Sequence, residues 1–362
     1  MKKWRIWISL LSFFVILYTP YVVHSVSLDN MLDEIEHLTA PHGYQADAFT
    51  RQVLTGKADI SFSGILSFLG ELFFGELREN LSLIIKMAAA GLLSGILVHF
   101  PEDGQKIGTF ACALILSLMA LQSFSYAETV AEEAMDGLIL FIQGLLPTVG
   151  TAAVASGSVS GAGTVSAVFF AMQVFMQLLK RFMMPLTSVI TVLAVCDGLG
   201  EGNRLGGVVS FLKQCFRWCT GLLLLLYGAA IGMTTGAAAV FDKTAGKTVK
   251  YAVGNLVPVI GGALADSLET VTTAAKAIRG ALGVSGMVGI GAVAITPLMT
   301  LGALALSYKL AATAVSVCGD KKTVALIEEI GGGMFRLLAI VVSAAVMFFI
   351  SVAMLCFMGG AA

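Results

Sequence analysis

Read along its length, the chain alternates long apolar runs with short polar stretches, and the runs have the length of membrane crossings. At about 20 apolar residues per crossing, they predict spans near 81–99, 107–125, 138–156, 163–180, 183–199, 215–238, 284–302, 303–319 and 334–358. The expected fold is an all-α polytopic transmembrane helical bundle of about 7–9 segments, with a short extracytoplasmic N-terminal segment. Two parts of the pattern are ambiguous. Residues 284–319 read as one broken helix or a tight hairpin, and 138–180 could hold a re-entrant pair.

Residues 1–25 have the form of an export signal, with Lys2, Lys3 and Arg5 ahead of an apolar core from Ile6 to Tyr18 and a cleavage site at Val23-His24-Ser25. An uncleaved anchor is the alternative, and either places the following residues outside the cytoplasm. Residues 26–80 hold nine acids against three bases, a balance suited to a translocated segment. This segment ends in an amphipathic helix, Ile60 to Leu81. Ile65, Phe68, Leu69, Leu72, Phe73 and Leu77 share one side of it, and Glu71, Glu76 and Arg78 lie on the other. The rest, 81–362, is the polytopic membrane domain.

Composition sharpens this picture. The chain is 57% hydrophobic and only 12% charged, about half the charge of a soluble domain. A net charge of −1 argues against nucleic acid as a partner, because that work needs a basic surface. The partner the composition demands is the lipid bilayer. Basic residues do not settle orientation. Lys180-Arg181 and the Arg204/Lys213/Arg217 group both prefer the cytoplasm, yet they flank the single predicted span 183–199.

The halves of the membrane domain echo each other near 107–199 and 215–319. Leu145-Leu146-Pro147-Thr148-Val149-Gly150 recurs 111 residues later as Leu256-Val257-Pro258-Val259-Ile260-Gly261, and Met184-Pro185-Leu186 recurs 112 later as Thr296-Pro297-Leu298. Proline removes a backbone donor and crowds the preceding turn, so Pro147, Pro185, Pro258 and Pro297 are expected as paired helix breaks. Paired breaks at membrane depth are a transporter-like feature.

The stretch Tyr251–Arg279 carries the densest polar chemistry. Behind Asn255, Pro258, Gly261 and Gly262, the side chains of Asp266, Glu269, Thr273 and Lys276 recur at helical spacing on one face. Such a helix lies at the membrane interface or lines a hydrated path. Among the charges inside apolar runs, Lys86 and Lys180 can snorkel from span ends, while Lys309 is the one expected to be buried and paired. No HExxH, P-loop or nucleophile elbow is present, so neither an enzyme nor a cofactor is expected. Cys215 and Cys219, four apart, read as small apolar packing rather than a metal pair.

The order of parts resembles the stage III sporulation protein AE family of endospore-forming bacteria. The most specific likeness is Val253-Gly254-Asn255-Leu256-Val257-Pro258-Val259-Ile260-Gly261-Gly262 followed by Asp266, similar to the family's GN-[FL]-[IV]-PVIGG…D word. This resemblance implies a multi-pass protein of the mother-cell membrane around the forespore. It also implies partners, namely other membrane proteins of the same operon and a forespore-side membrane protein, in a channel-like complex needed for forespore development. Two roles fit, a permease-like or conduit-forming subunit and a scaffold that assembles ring-forming partners without passing solute. The resemblance assigns no catalytic residue.

Overall fold

The computed structural model describes residues 62–155, 161–200, 204–256, 289–291, 293–317 and 320–357. The export signal, most of the acidic segment and the polar face from Asp266 to Lys276 lie outside the described residues. Those described are helical almost throughout. The helices are α1 (Phe62–Glu79), α2 (Leu81–Leu97), α3 (Glu102–Ala155), α4 (Gly161–Leu178), α5 (Met184–Leu199), α6 (Gly206–Leu256), α7 (Gly289–Ser316) and α8 (Lys321–Phe357).

The amphipathic helix forms as α1. Leu72 is buried and Leu69, Phe73 and Leu77 are half-buried, while Glu71, Arg78 and Glu79 are exposed. At Asn80 the chain bends by 43° into α2, and the Asn80 Nδ2 donates to the Glu76 carbonyl at 2.8 Å. From there α2 descends against the bundle. Its Gly91 lies directly on Val315 of α7, and its Ser94 hydroxyl meets that of Thr323 at 3.2 Å.

Among the described residues, five helices are long and apolar enough to cross a membrane, or six if the bent α1–α2 pair forms one span. The sequence pattern predicts seven to nine, and among the described residues pairs of its runs merge. The 107–125 and 138–156 runs belong to the 54-residue α3. The 163–180 and 183–199 runs form one helix, Gly163–Leu199, and the described part of 284–319 is the single helix α7.

The prolines show how the runs merge. Pro147 lies inside α3 and Pro297 inside α7, so neither ends its helix. Pro185 follows a π-turn, Leu179–Met183, that joins α4 to α5. There the Met184 amide donates to the Leu179 carbonyl, five residues back. This wider turn relieves the clash between a proline ring and the carbonyl four residues earlier, so the helix continues through it. In membrane helices such freed backbone groups are tolerated where neighbouring helices cover them. Pro258 lies outside the described residues.

Merging 163–199 also changes the setting of the basic residues. Lys180-Arg181 stands at the middle of one helix rather than between two crossings.

Around α8 the other helices assemble, with α2, α3, α4, α5 and α6 all packing against it. Buried Ile327, Ile330, Met334, Leu337, Ile340, Val341, Ala344 and Phe348 form its inner face. Gly198 of α5 sits on Leu326 of α8 and Thr191 sits on Gly333, so these two helices run antiparallel. Close approach is bought by glycine at both sides of α8. A Cβ on Gly331 would lie 2.9 Å from Tyr308 of α7, and one on Gly333 would lie 2.6 Å from the Thr191 hydroxyl and 3.0 Å from Phe124 of α3.

Candidate functional site

A polar layer of charged and hydroxyl side chains runs along these long helices, from the Asp136–Lys180 pair to the Glu329–Lys213 pair. A 54-residue helix is about 80 Å long, against about 30 Å of hydrocarbon in a bilayer. Only part of α3 can therefore lie in lipid at once. Its two apolar runs are separated by Glu128, Glu132, Glu133 and Asp136, and of these Glu128 and Asp136 meet partners that build the site.

On α3 and the α4–α5 helix the contacts step in opposite directions, as antiparallel packing requires. Lys180 of the π-turn donates to both Asp136 carboxylate oxygens, at 2.7 and 2.8 Å. Eight residues on, Ser188 donates to the Glu128 Oε1 at 2.6 Å, eight residues back along α3. Lys180 thus pairs across the helix interface instead of snorkelling away from it.

Deeper in the bundle, α5 presents two fully buried threonines. Thr187 donates to the Met183 carbonyl at 3.0 Å and Thr191 to the Thr187 carbonyl at 2.9 Å. Those bonds orient the Thr191 hydroxyl oxygen as an acceptor, and the Arg336 Nη2 of α8 donates to it at 3.1 Å. Among the described residues, the Arg336 Nε is buried without a hydrogen-bond partner. Glu329, one side of α8 and two turns away, holds the Lys213 ammonium of α6 at 2.5 Å. It also lies within electrostatic reach of Arg336.

Chemically, this arrangement consists of ion pairs, hydroxyls and an incompletely paired guanidinium. It offers no nucleophile held by a base. Among the described residues, no group of three or more His, Cys, Asp and Glu side chains could hold a metal ion. Cys215 and Cys219 are half-buried free thiols.

The residues singled out from sequence fare unevenly. Asn255 is helical near the end of α6, while Pro258, Gly261, Gly262, Asp266, Glu269, Thr273 and Lys276 lie outside the described residues. Lys309, expected to be buried, is exposed on α7. It sits on the turn of α7 facing away from Tyr308 and Ala311, which are fully buried, so its helical register turns it outward. Asp197 serves the chain locally, its carboxylate accepting the Leu205 amide at 2.8 Å across the α5–α6 connection. Sequence reading missed Arg336, Glu329, Lys213 and Asp136 as partners. One signal was there: Arg336 is the last charge before an uncharged run to the C-terminus.

Residues 44–359 match the family model described as stage III sporulation protein AE. Over 239 residues the chain is 26% identical to the stage III sporulation protein AE of Bacillus subtilis (strain 168). That alignment takes in 66% of this chain and 60% of the relative, less than two thirds of its length. No solved structure matches the chain.

Proposed function

The chain belongs to the stage III sporulation protein AE family, and from that premise we propose that it is a conduit-forming, permease-like subunit of a channel complex linking mother cell and forespore. In this reading it resides in the mother-cell membrane that surrounds the forespore. Its partners are other membrane proteins of its operon and a forespore-side membrane protein, and it has no catalytic role. The observation that carries the reading is the polar layer within membrane-length helices: Asp136–Lys180, Glu128–Ser188, Glu329–Lys213 and Arg336–Thr191. Charged groups inside membrane helices mark hydrated or solute-bearing interiors far more often than lipid-facing surfaces. The polar face of Asp266, Glu269, Thr273 and Lys276 extends the same chemistry in sequence.

The scaffold reading draws on a different feature. Ile85, Leu92, Leu93 and Ile96 of α2 and Ile107, Phe110, Leu114 and Ile115 of α3 are all exposed, an apolar face that suits lipid or a partner helix. Asp266→Ala and Lys276→Ala separate the two. A conduit predicts that each variant loses forespore gene expression while the complex still co-purifies. Loss of assembly along with activity favours the scaffold, and normal sporulation in both variants removes any role for this segment.

A further inference from the structure

Arg336 and Glu329 lie seven residues apart on α8, on nearly the same face and about 10.5 Å apart along the axis. Their charges are opposite, yet each is partnered elsewhere. Glu329 is held by Lys213 of α6, whereas among the described residues Arg336 hydrogen-bonds the neutral Thr191 hydroxyl and keeps a buried Nε without a hydrogen-bond partner. A buried charged donor left unpaired is costly, which favours any arrangement that supplies a carboxylate. Between the two charges the helix reads Gly331-Gly332-Gly333. Each glycine weakens a helix relative to alanine. Gly331 and Gly333 answer to close packing, but Gly332 does not, since a Cβ there would meet nothing nearer than the Arg336 Nη1 at 3.5 Å.

We propose that Glu329 is a two-position carboxylate, exchanging between Lys213 and Arg336 as α8 bends at Gly331–Gly333. A bend concave toward the face shared by Glu329 and Arg336 shortens the gap between them. In the straight state Glu329 clamps the lower part of α8 to α6. In the bent state it completes the guanidinium, and Lys213 is released. The upper part of α8 stays tied to α6 throughout by the hydrogen bond between Tyr227 and Ser351, so α6 pivots rather than detaches. The exchange is a property of this helix pair and holds whether or not solute passes through the protein.

Spin labels on the full chain in lipid nanodiscs test this, with the six native cysteines replaced and labels at Lys322 and Val346. Both positions are exposed, and they stand about 36 Å apart along a straight helix. Two distance populations are expected in the parent. Gly332→Ala, which adds helix stability without a clash, should leave only the longer one. Arg336→Gln should likewise abolish the shorter population, and Lys213→Gln should enrich it. A single distance unchanged by all three variants, or shifts in the same direction from Lys213→Gln and Arg336→Gln, would overturn the proposal.

Discussion

Replacing Gly333 with valine is expected to remove the folded protein from the membrane. The Cβ alone would stand 2.6 Å from the Thr191 hydroxyl and 3.0 Å from the Phe124 ring. Thr191 is wholly buried and Phe124 is 3% exposed, so neither can move aside without displacing α3 or α5. Overpacking a close-packed site by a methyl group costs about 1–3 kcal/mol, and valine adds two further methyls to that first carbon. The collision also strikes the hydroxyl that accepts from Arg336. Gly333→Ala should lower both the amount of protein in membranes and its melting temperature in detergent, and Gly333→Val should leave almost none. Gly221→Ala is the control, because nothing lies within 4 Å of a Cβ there. Equal abundance of Gly333→Val and Gly221→Ala would show that α8 does not pack on α5 as described.

The second large effect is expected at the Asp136–Lys180 pair. Lys180 is the more enclosed partner, its side chain 24% exposed against 55% for Asp136. Asp136→Lys would place two ammonium groups face to face across the α3–π-turn interface and is expected to abolish sporulation and reduce the protein. Lys180→Asp would bring two carboxylates together, with Glu132 and Glu133 close by on α3, and should be as severe. The double exchange restores an ion pair and should recover most of the activity. Measuring heat-resistant spores and membrane abundance for the three variants checks this. Failure of the double exchange while the single variants are tolerated would mean that the pair is incidental, as many exposed ion pairs are.

Much of this architecture is legible in the sequence because lipid imposes a simple rule on it. Apolar runs of membrane length can only be helices when no water is at hand to satisfy the backbone, and the α1 pattern from Ile65 to Leu77 declares a one-sided helix. What misleads is local punctuation. Pro147, Pro185 and Pro297 look like breaks in a one-dimensional reading, but long helices absorb them, in one case through the π-turn at Leu179–Met183. Lys309 looks buried because its neighbours in sequence are apolar, and only the helical register shows that it points outward. The polar layer is hidden for a different reason. Its bonds join residues 44, 60, 116 and 145 positions apart, and no spacing rule connects them until the helices pack. The Asn255–Gly262 word carries the resemblance in sequence, whereas the chemistry in the described bundle resides in ordinary-looking Ser, Thr, Lys and Glu residues.

The central claim is that the polar layer is wet. Its most direct test is the labelling of Ser188→Cys by a membrane-impermeant thiol reagent, applied from each side to a chain without its native cysteines. Asp136→Cys sits beside it as the outer reference. Val192→Cys, on the apolar exposed face of α5, serves as the lipid-facing control. The account predicts rapid labelling at 136, slower labelling at 188 from the same side, and none at 192. Protection of Ser188→Cys from both sides in a protein that still supports sporulation would mean that the layer is dry, and the conduit reading would fall to the scaffold.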